Sequence, residues 1–196
     1  QSEPMILQSL GVGETDVGLR RDHNEDAFFV DDDLGLYVVA DGMGGHAAGE
    51  VASRTALEAF TGAVEARASD LARVREAFSI DETDEGIPDP SLVVTLLESA
   101  LAAANRAVWE LSRSETRYAG MGCTLTAVVV MGSKAVMAHV GDSRLYLIRD
   151  AQPHRLSVDH TFLNELVRGG RVTTEVAREH PLAASLLRAV GPQQAV

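Results

Sequence analysis

The sequence predicts an α+β domain layered α-β-β-α, and three observations predict it. Apolar β-rich runs fall in two blocks, at residues 27–40 and 123–149. Two amphipathic helical stretches lie between the blocks, and a small helical piece follows the second. The order is strands, helices, strands and helices, not the alternating βαβ units that signal a parallel sheet. At 196 residues the chain is long enough for one domain with a real core, and 45% hydrophobic residues is an ordinary share for a globular protein. Its 17 Lys plus Arg against 29 Asp plus Glu give a formal net charge of −12, which argues against a broad nucleic-acid or anionic-membrane surface. Cys123 is the only cysteine, which excludes an internal disulfide framework and Cys-based zinc sites. No apolar run reads as a membrane span, and the N-terminus lacks a charged region followed by an apolar block, so a cytoplasmic location is expected.

Residues 6–19 mix apolar and small residues and suggest one or two short strands with glycine turns. Ala27 to Val30 reads as a short buried strand, Asp31-Asp32-Asp33 with Leu34-Gly35 as a hairpin loop, and Leu36 to Ala40 as a second strand that stops at Asp41-Gly42. That hairpin brings Glu25, Asp26 and Asp41 to one end. From His46 to about Arg67, Val51, Ala56, Leu57, Phe60 and Val64 recur at helical spacing. Ser79 to Pro90, with five acidic residues and two prolines, reads as a loop. Asp89-Pro90-Ser91 offers a helix start, and Val93, Leu97, Leu101, Ala104 and Val108 form the apolar stripe of a helix running to about Ser112. Cys123 to Met131 and Lys134 to Val140 are β-rich runs around Gly132-Ser133, a hairpin signal, and Gly141-Asp142-Ser143-Arg144 precedes another strand at Leu145 to Arg149. After Asp159-His160, the stretches Phe162 to Arg168, Thr173 to His180 and Pro181 to Val190 read as short helices.

The chain is organised around LYVVADGMGGHAAGEVAS, Leu36 to Ser53. A carboxylate at the end of a buried strand, beside glycines that allow close backbone approach, is a good place for a metal or a reacting group. Asp41, Glu25, Asp26 and Asp142 all lie near strand ends, and oxygen donors of this kind suit Mg²⁺ or Mn²⁺. Two such cations sharing a carboxylate can activate water for in-line attack on phosphorus. Arg21, four residues before Glu25, could grip phosphate oxygens through its planar fork. His46 follows two glycines at a helix start, where it could donate a proton to a leaving alkoxide. His139, inside an apolar strand, is expected to be a hydrogen-bonded core histidine. Cys123 is followed by a strand, not by a phosphate-cradling loop with an arginine, which argues against a cysteine nucleophile.

The blocks RRDHNEDA, VVADGMGGHAAGEVAS, GMGCTLTAVVV, HVGDSRLYLIRD and LSVDHT occur in an order and spacing that resemble the bacterial type 2C metal-dependent serine/threonine protein phosphatases. The resemblance covers nearly the whole chain. It implies a sandwich of two antiparallel sheets flanked by helices, with a small helical flap at about residues 159–191. It also implies hydrolysis of phosphoserine and phosphothreonine in proteins by a metal-activated water, reversing a Ser/Thr kinase. Asp41 resembles the carboxylate that bridges two metals, with Gly42 giving its carbonyl to one of them. Glu25 or Asp26 would serve the second metal directly or through water, and Asp142 resembles a ligand of a third, weaker site. Arg21 resembles the phosphate-binding arginine. Met43 stands where some eukaryotic relatives carry a histidine proposed as general acid, and His46 is the nearest replacement.

The family pattern continues beyond LLRAVG with a Ser-Asp-Gly motif and then an Asp-Asn motif, whose aspartates bind the first metal; this sequence ends at Val196. The expectation is therefore a single phosphatase-like domain over residues 1–196, incomplete at its C-terminus and impaired in activity as it stands. The rival reading, from a different class, is a non-catalytic module that binds a phosphoprotein or a kinase through the same surface.

Overall fold

The computed structural model describes residues 9–44, 48–79, 89–183 and 185–196. Strands β1 (Asp26–Asp31) and β2 (Leu36–Met43) are followed by helices α1 (Ala48–Glu65), α2 (Ala68–Ser79) and α3 (Ser91–Ser114). Strands β3 (Gly122–Cys123), β4 (Leu125–Met131), β5 (Lys134–Val140), β6 (Tyr146–Arg149) and β7 (Gln152–Arg155) come next, and then helices α4 (Phe162–Arg168) and α5 (Thr174–Arg178). One sheet has five strands, ordered β1-β2-β4-β5 with β3 also on β2, and β6 and β7 form a second, two-stranded sheet. Every pairing is antiparallel. The α+β class and the antiparallel sheets with helices agree with the sequence reading.

Alternation along β2 sorts its side chains between two faces. Leu36, Val38 and Ala40 are buried, while Tyr37, Val39 and Asp41 are more exposed and point the other way. Helix α1 packs chiefly on α3 and β2. Its small or apolar buried residues, Ala52, Ala56, Phe60 and Val64, meet a core that includes Val93, Leu97, Ala100, Ala104 and Val108 of α3. Repeated alanines on both helices let them approach closely, and full burial of Phe60 anchors the contact. Helix α3 is long and apolar enough to cross a membrane by length and composition, with a mean hydropathy of 1.3, contrary to the expectation that no run qualifies. One face of it is this core.

Several expectations are corrected. Residues 9–17 form no strand; residues 6–8 lie outside the described residues. Strand β2 does not stop at Asp41-Gly42 but runs to Met43, because β3 supplies partners in the pairs Gly42–Cys123 and Met43–Gly122. Helix α2 was not expected. Its Leu71 is fully buried, and Arg75 donates to the carbonyls of Val130, Asp32 and Asp33, tying the helix to the β1–β2 hairpin. Strand β7, the polar run Gln152–Arg155, exists through pairing with β6. The described residues of Pro181 to Val190 form no helix: Leu186 bridges to Thr161 and Val190 to Cys123, and Val190 is fully buried. The expected loop at Ser79 to Pro90 falls largely on residues 80–88, outside the described residues.

Candidate functional site

The β1–β2 hairpin sets Asp26 directly opposite Asp41. Glu25 precedes that pair, and its carbonyl accepts the Gly42 amide at 3.0 Å, which closes the hairpin end. The first turn of α1 presses into the same corner. A Cβ on Gly42 would collide with the Gly49 carbonyl, and a Cβ on Gly49 would collide with the Glu25 carboxylate. Gly42 is therefore required by a close backbone approach, and a side chain at Gly49 would push the Glu25 carboxylate aside. Together the two glycines let Glu25 sit against the N-terminal turn of α1, where the helix dipole favours a carboxylate. The other oxygen of Glu25 accepts from Arg21 at 3.0 Å, and Arg21 itself is largely exposed.

The β5–β6 turn brings in Asp142. Gly141 there has φ +106°, a conformation suited to glycine, and a Cβ on it would run into the Thr124 side chain. Asp41 is pushed up from 3.8 to about 6, first by desolvation, then by the charges of Asp26 and Asp142, a hydrogen bond with Asp26, and the charge of Glu25. Its side chain reaches solvent, so the desolvation comes from the crowding around its base. Among the described residues Asp41 has no ion-pair partner. An open depression of about 350 Å³ lies beside it, lined in part by Asp16, Asp26, Asp41 and Ser143.

The structure thus brings Asp41, Asp26, Glu25 and Asp142 into one electrostatic group and sets Arg21 on its rim. His46 lies outside the described residues. Hard oxygen donors that repel one another are the chemistry a divalent cation relieves, and in that respect the residues fit Mn²⁺ or Mg²⁺. Among the described residues, however, no three His, Cys, Asp or Glu side chains converge closely enough to hold a metal by themselves. Cys123 is buried and pushed up to about 12, first by desolvation and then by the Asp41 charge, so its thiol is no nucleophile. His139 is hydrogen-bonded to Thr126 at 2.8 Å and to the Val158 carbonyl at 3.1 Å as expected, but it is half-buried rather than in the core, because β5 leaves this face only partly covered.

Sequence reasoning missed two contributors. Gly49 carried a usable signal, a glycine in the first turn of a helix, where it costs helix stability and so needs another reason. Thr124 carried none, being one more β-branched residue in a β-rich run.

A family model, Protein phosphatase 2C, matches residues 19–190. The chain is 36% identical over 176 residues to the serine/threonine protein phosphatase PstP of Mycobacterium tuberculosis, covering 90% of this chain and 30% of that protein. It is 36% identical over 180 residues to the serine/threonine phosphatase stp of Listeria monocytogenes, covering 90% of this chain and 65% of that one. Among solved structures, the catalytic domain of PstP in complex with two manganese ions superposes with a TM-score of 0.66 at 33% identity, over 92% of this chain and 66% of that one. The chain thus spans less than two thirds of either of these relatives' own length.

Proposed function

The chain belongs to the protein phosphatase 2C family, and on that premise we propose that it serves the hydrolysis of phosphoserine and phosphothreonine in proteins. The substrates are phosphoproteins made by a Ser/Thr kinase, and the setting is cytoplasmic signalling. The observation that carries the reading is Asp41: the fold gathers carboxylates around it and, among the described residues, gives it no cation. Two Mn²⁺ or Mg²⁺ ions are proposed for this corner, with a third at Asp142. Asp41 would serve both ions, with the Gly42 carbonyl on one of them and Glu25 or Asp26 on the second, directly or through water. When bound, such cations supply the Lewis acidity that activates water and neutralises phosphoryl charge.

The chain's own residues do the rest. The backbone pairing of β1 with β2 sets Asp26 opposite Asp41, so the strand positions of these two donors are set before any ligand arrives. Gly42 and Gly49 keep the α1 turn tight against Glu25. Arg21 has one nitrogen on Glu25 and further donors free to bind the substrate phosphate, and its exposure lets it reach outward. His46 is proposed as the proton donor to the departing alkoxide, on its sequence position alone.

The test is hydrolysis of a phosphothreonine peptide by the complete gene product. Turnover is expected with Mn²⁺ or Mg²⁺, loss on chelation, and recovery on adding the ion back. Turnover that survives thorough chelation contradicts the proposal. One observation favours a second reading, a non-catalytic module that binds a phosphoprotein or kinase: no three donors converge among the described residues. Phosphopeptide binding without turnover at saturating metal would establish it.

A further inference from the structure

The pairs Val39–Thr126 and Gly42–Cys123 share one register, which places Asp41 opposite Thr124 between strands β4 and β3. The Thr124 amide donates to the Asp41 carbonyl at 2.8 Å, as a narrow antiparallel pair requires. The reciprocal bond is altered. The Asp41 amide donates not to the Thr124 carbonyl but to the Thr124 hydroxyl, at 3.0 Å. That hydroxyl also shares a hydrogen bond of 2.7 Å with the Ser143 hydroxyl. Thr124 is buried, and Ser143 follows Asp142 directly.

We propose that Thr124 is a positioning residue of the Asp41 centre, its one hydroxyl joining the Asp41 backbone to the turn that carries Asp142. This inference rests on the metal-centre reading above. A side-chain oxygen standing in for a ladder carbonyl holds the end of β2 without the second strand-to-strand bond, and the same atom reaches the β5–β6 turn. The separation between Asp41 and Asp142 is then set by a hydroxyl pair, Thr124 buried and Ser143 half-buried, rather than by freely rotating exposed side chains. The collision that any Cβ at Gly141 would make with Thr124 shows how closely that turn is drawn in. A hydroxyl is needed for the link, and a β-branched residue of the same shape without it is not a substitute.

The test compares Thr124→Val, which keeps the shape, with Thr124→Ser, which keeps the hydroxyl. In the metal-free protein, hydrogen exchange at the Asp41 amide should accelerate in Thr124→Val and stay slow in Thr124→Ser, since that amide loses its acceptor only in the first. Mn²⁺ affinity, read from the electron paramagnetic resonance of free Mn²⁺, should weaken about tenfold or more in Thr124→Val. Thr124→Ser should return close to the wild-type value; in Thr124→Val, but not in Thr124→Ser, kcat should fall while KM stays put. Ser143→Ala, which cuts the far end of the link without touching the ladder, should weaken Mn²⁺ binding in the same direction, and the two changes together should be less than additive. If Thr124→Val does not fold, Ser143→Ala alone decides. Unchanged Mn²⁺ affinity and unchanged Asp41 exchange in these variants would overturn the inference while leaving the metal centre standing. A wild-type protein that binds no Mn²⁺ would overturn both.

Discussion

Asp41 and Asp159 are both partly enclosed carboxylates, and the protein treats them in opposite ways. Burial raises Asp159 too, but the Arg144 and Arg155 guanidiniums more than offset it and hold its carboxyl below the ordinary range. It forms an ion pair with each arginine, at 2.9 Å to Arg144. Asp41 is raised to about 6 and is surrounded by other carboxylates instead. A carboxylate the chain neutralises for itself is a structural tie; one left among like charges is a place for an external cation. The regions differ in the same sense. Behind Asp41 stands a fully buried apolar core, Leu36, Ala52, Ala56 and Phe60 among it. Around Asp159, the segment between β7 and α4 is held by polar ties, including the His160 amide on the Gly141 carbonyl and the Leu187 amide on the His160 carbonyl, and α4 has no buried residue.

Mutations should expose that contrast, the largest effect coming from the packed side. Phe60→Ala, at a fully buried site under the hairpin, should cost about 3–5 kcal/mol of stability in urea unfolding. A loss below about 1 kcal/mol would mean that packing does not support this corner. Tested in the complete gene product, Asp41→Asn should lower metal-dependent turnover of a phosphothreonine peptide by about 100-fold or more, roughly 3 kcal/mol of barrier. Near-normal turnover in that variant would remove Asp41 from the chemistry. Arg21→Ala should act mainly on substrate, raising KM by about tenfold with kcat less affected. Smallest of all, Arg144→Ala should cost less than about 1 kcal/mol, and added salt should mimic it in the wild type.

The two aspartates also predict opposite pH dependences in metal-free protein. The folded state holds the Asp41 proton more tightly than the unfolded state does, so stability from this group falls as pH rises from 3.8 to about 6 and stays low above it. Asp159, with its folded value depressed, stabilises above 3.8 and loses that contribution as pH falls through its folded value. Urea unfolding with chelator present, across that range, should show Asp41→Asn relieved of the loss at neutral pH and Asp159→Asn deprived of the gain. If both variants track the wild type, neither carboxyl is held as described.

The core elements were legible because each carries a period that burial enforces. Strand β5 runs over Lys134–Val140 as read, and α1 and α3 start and stop within a few residues of expectation. Helix α2 was legible in principle, since Leu71, Val74 and Phe78 stand three and four residues apart; the charged residues between them masked the pattern. Strand β7 was not legible, because Gln152-Pro153-His154-Arg155 has no apolar alternation and becomes a strand only when β6 pairs with it. Pro181 to Val190 looked helical from its leucines and alanines, but Val190 gains more by burial beside Cys123 than a short exposed helix offers. Of the candidate site, the placing of Asp26 opposite Asp41, with Glu25 beside them, was legible because the hairpin register follows from its loop. The Thr124 hydroxyl was not, since its role exists only once β2 and β4 are paired.

The central claim, that the fold leaves Asp41 for a cation and keeps Asp159 for itself, is tested most directly by Mn²⁺ titration of wild type, Asp41→Asn and Asp159→Asn near neutral pH. The account expects Asp41→Asn to bind at least about tenfold more weakly and Asp159→Asn to bind as the wild type does. Equal affinity in wild type and Asp41→Asn, or a loss confined to Asp159→Asn, would contradict it.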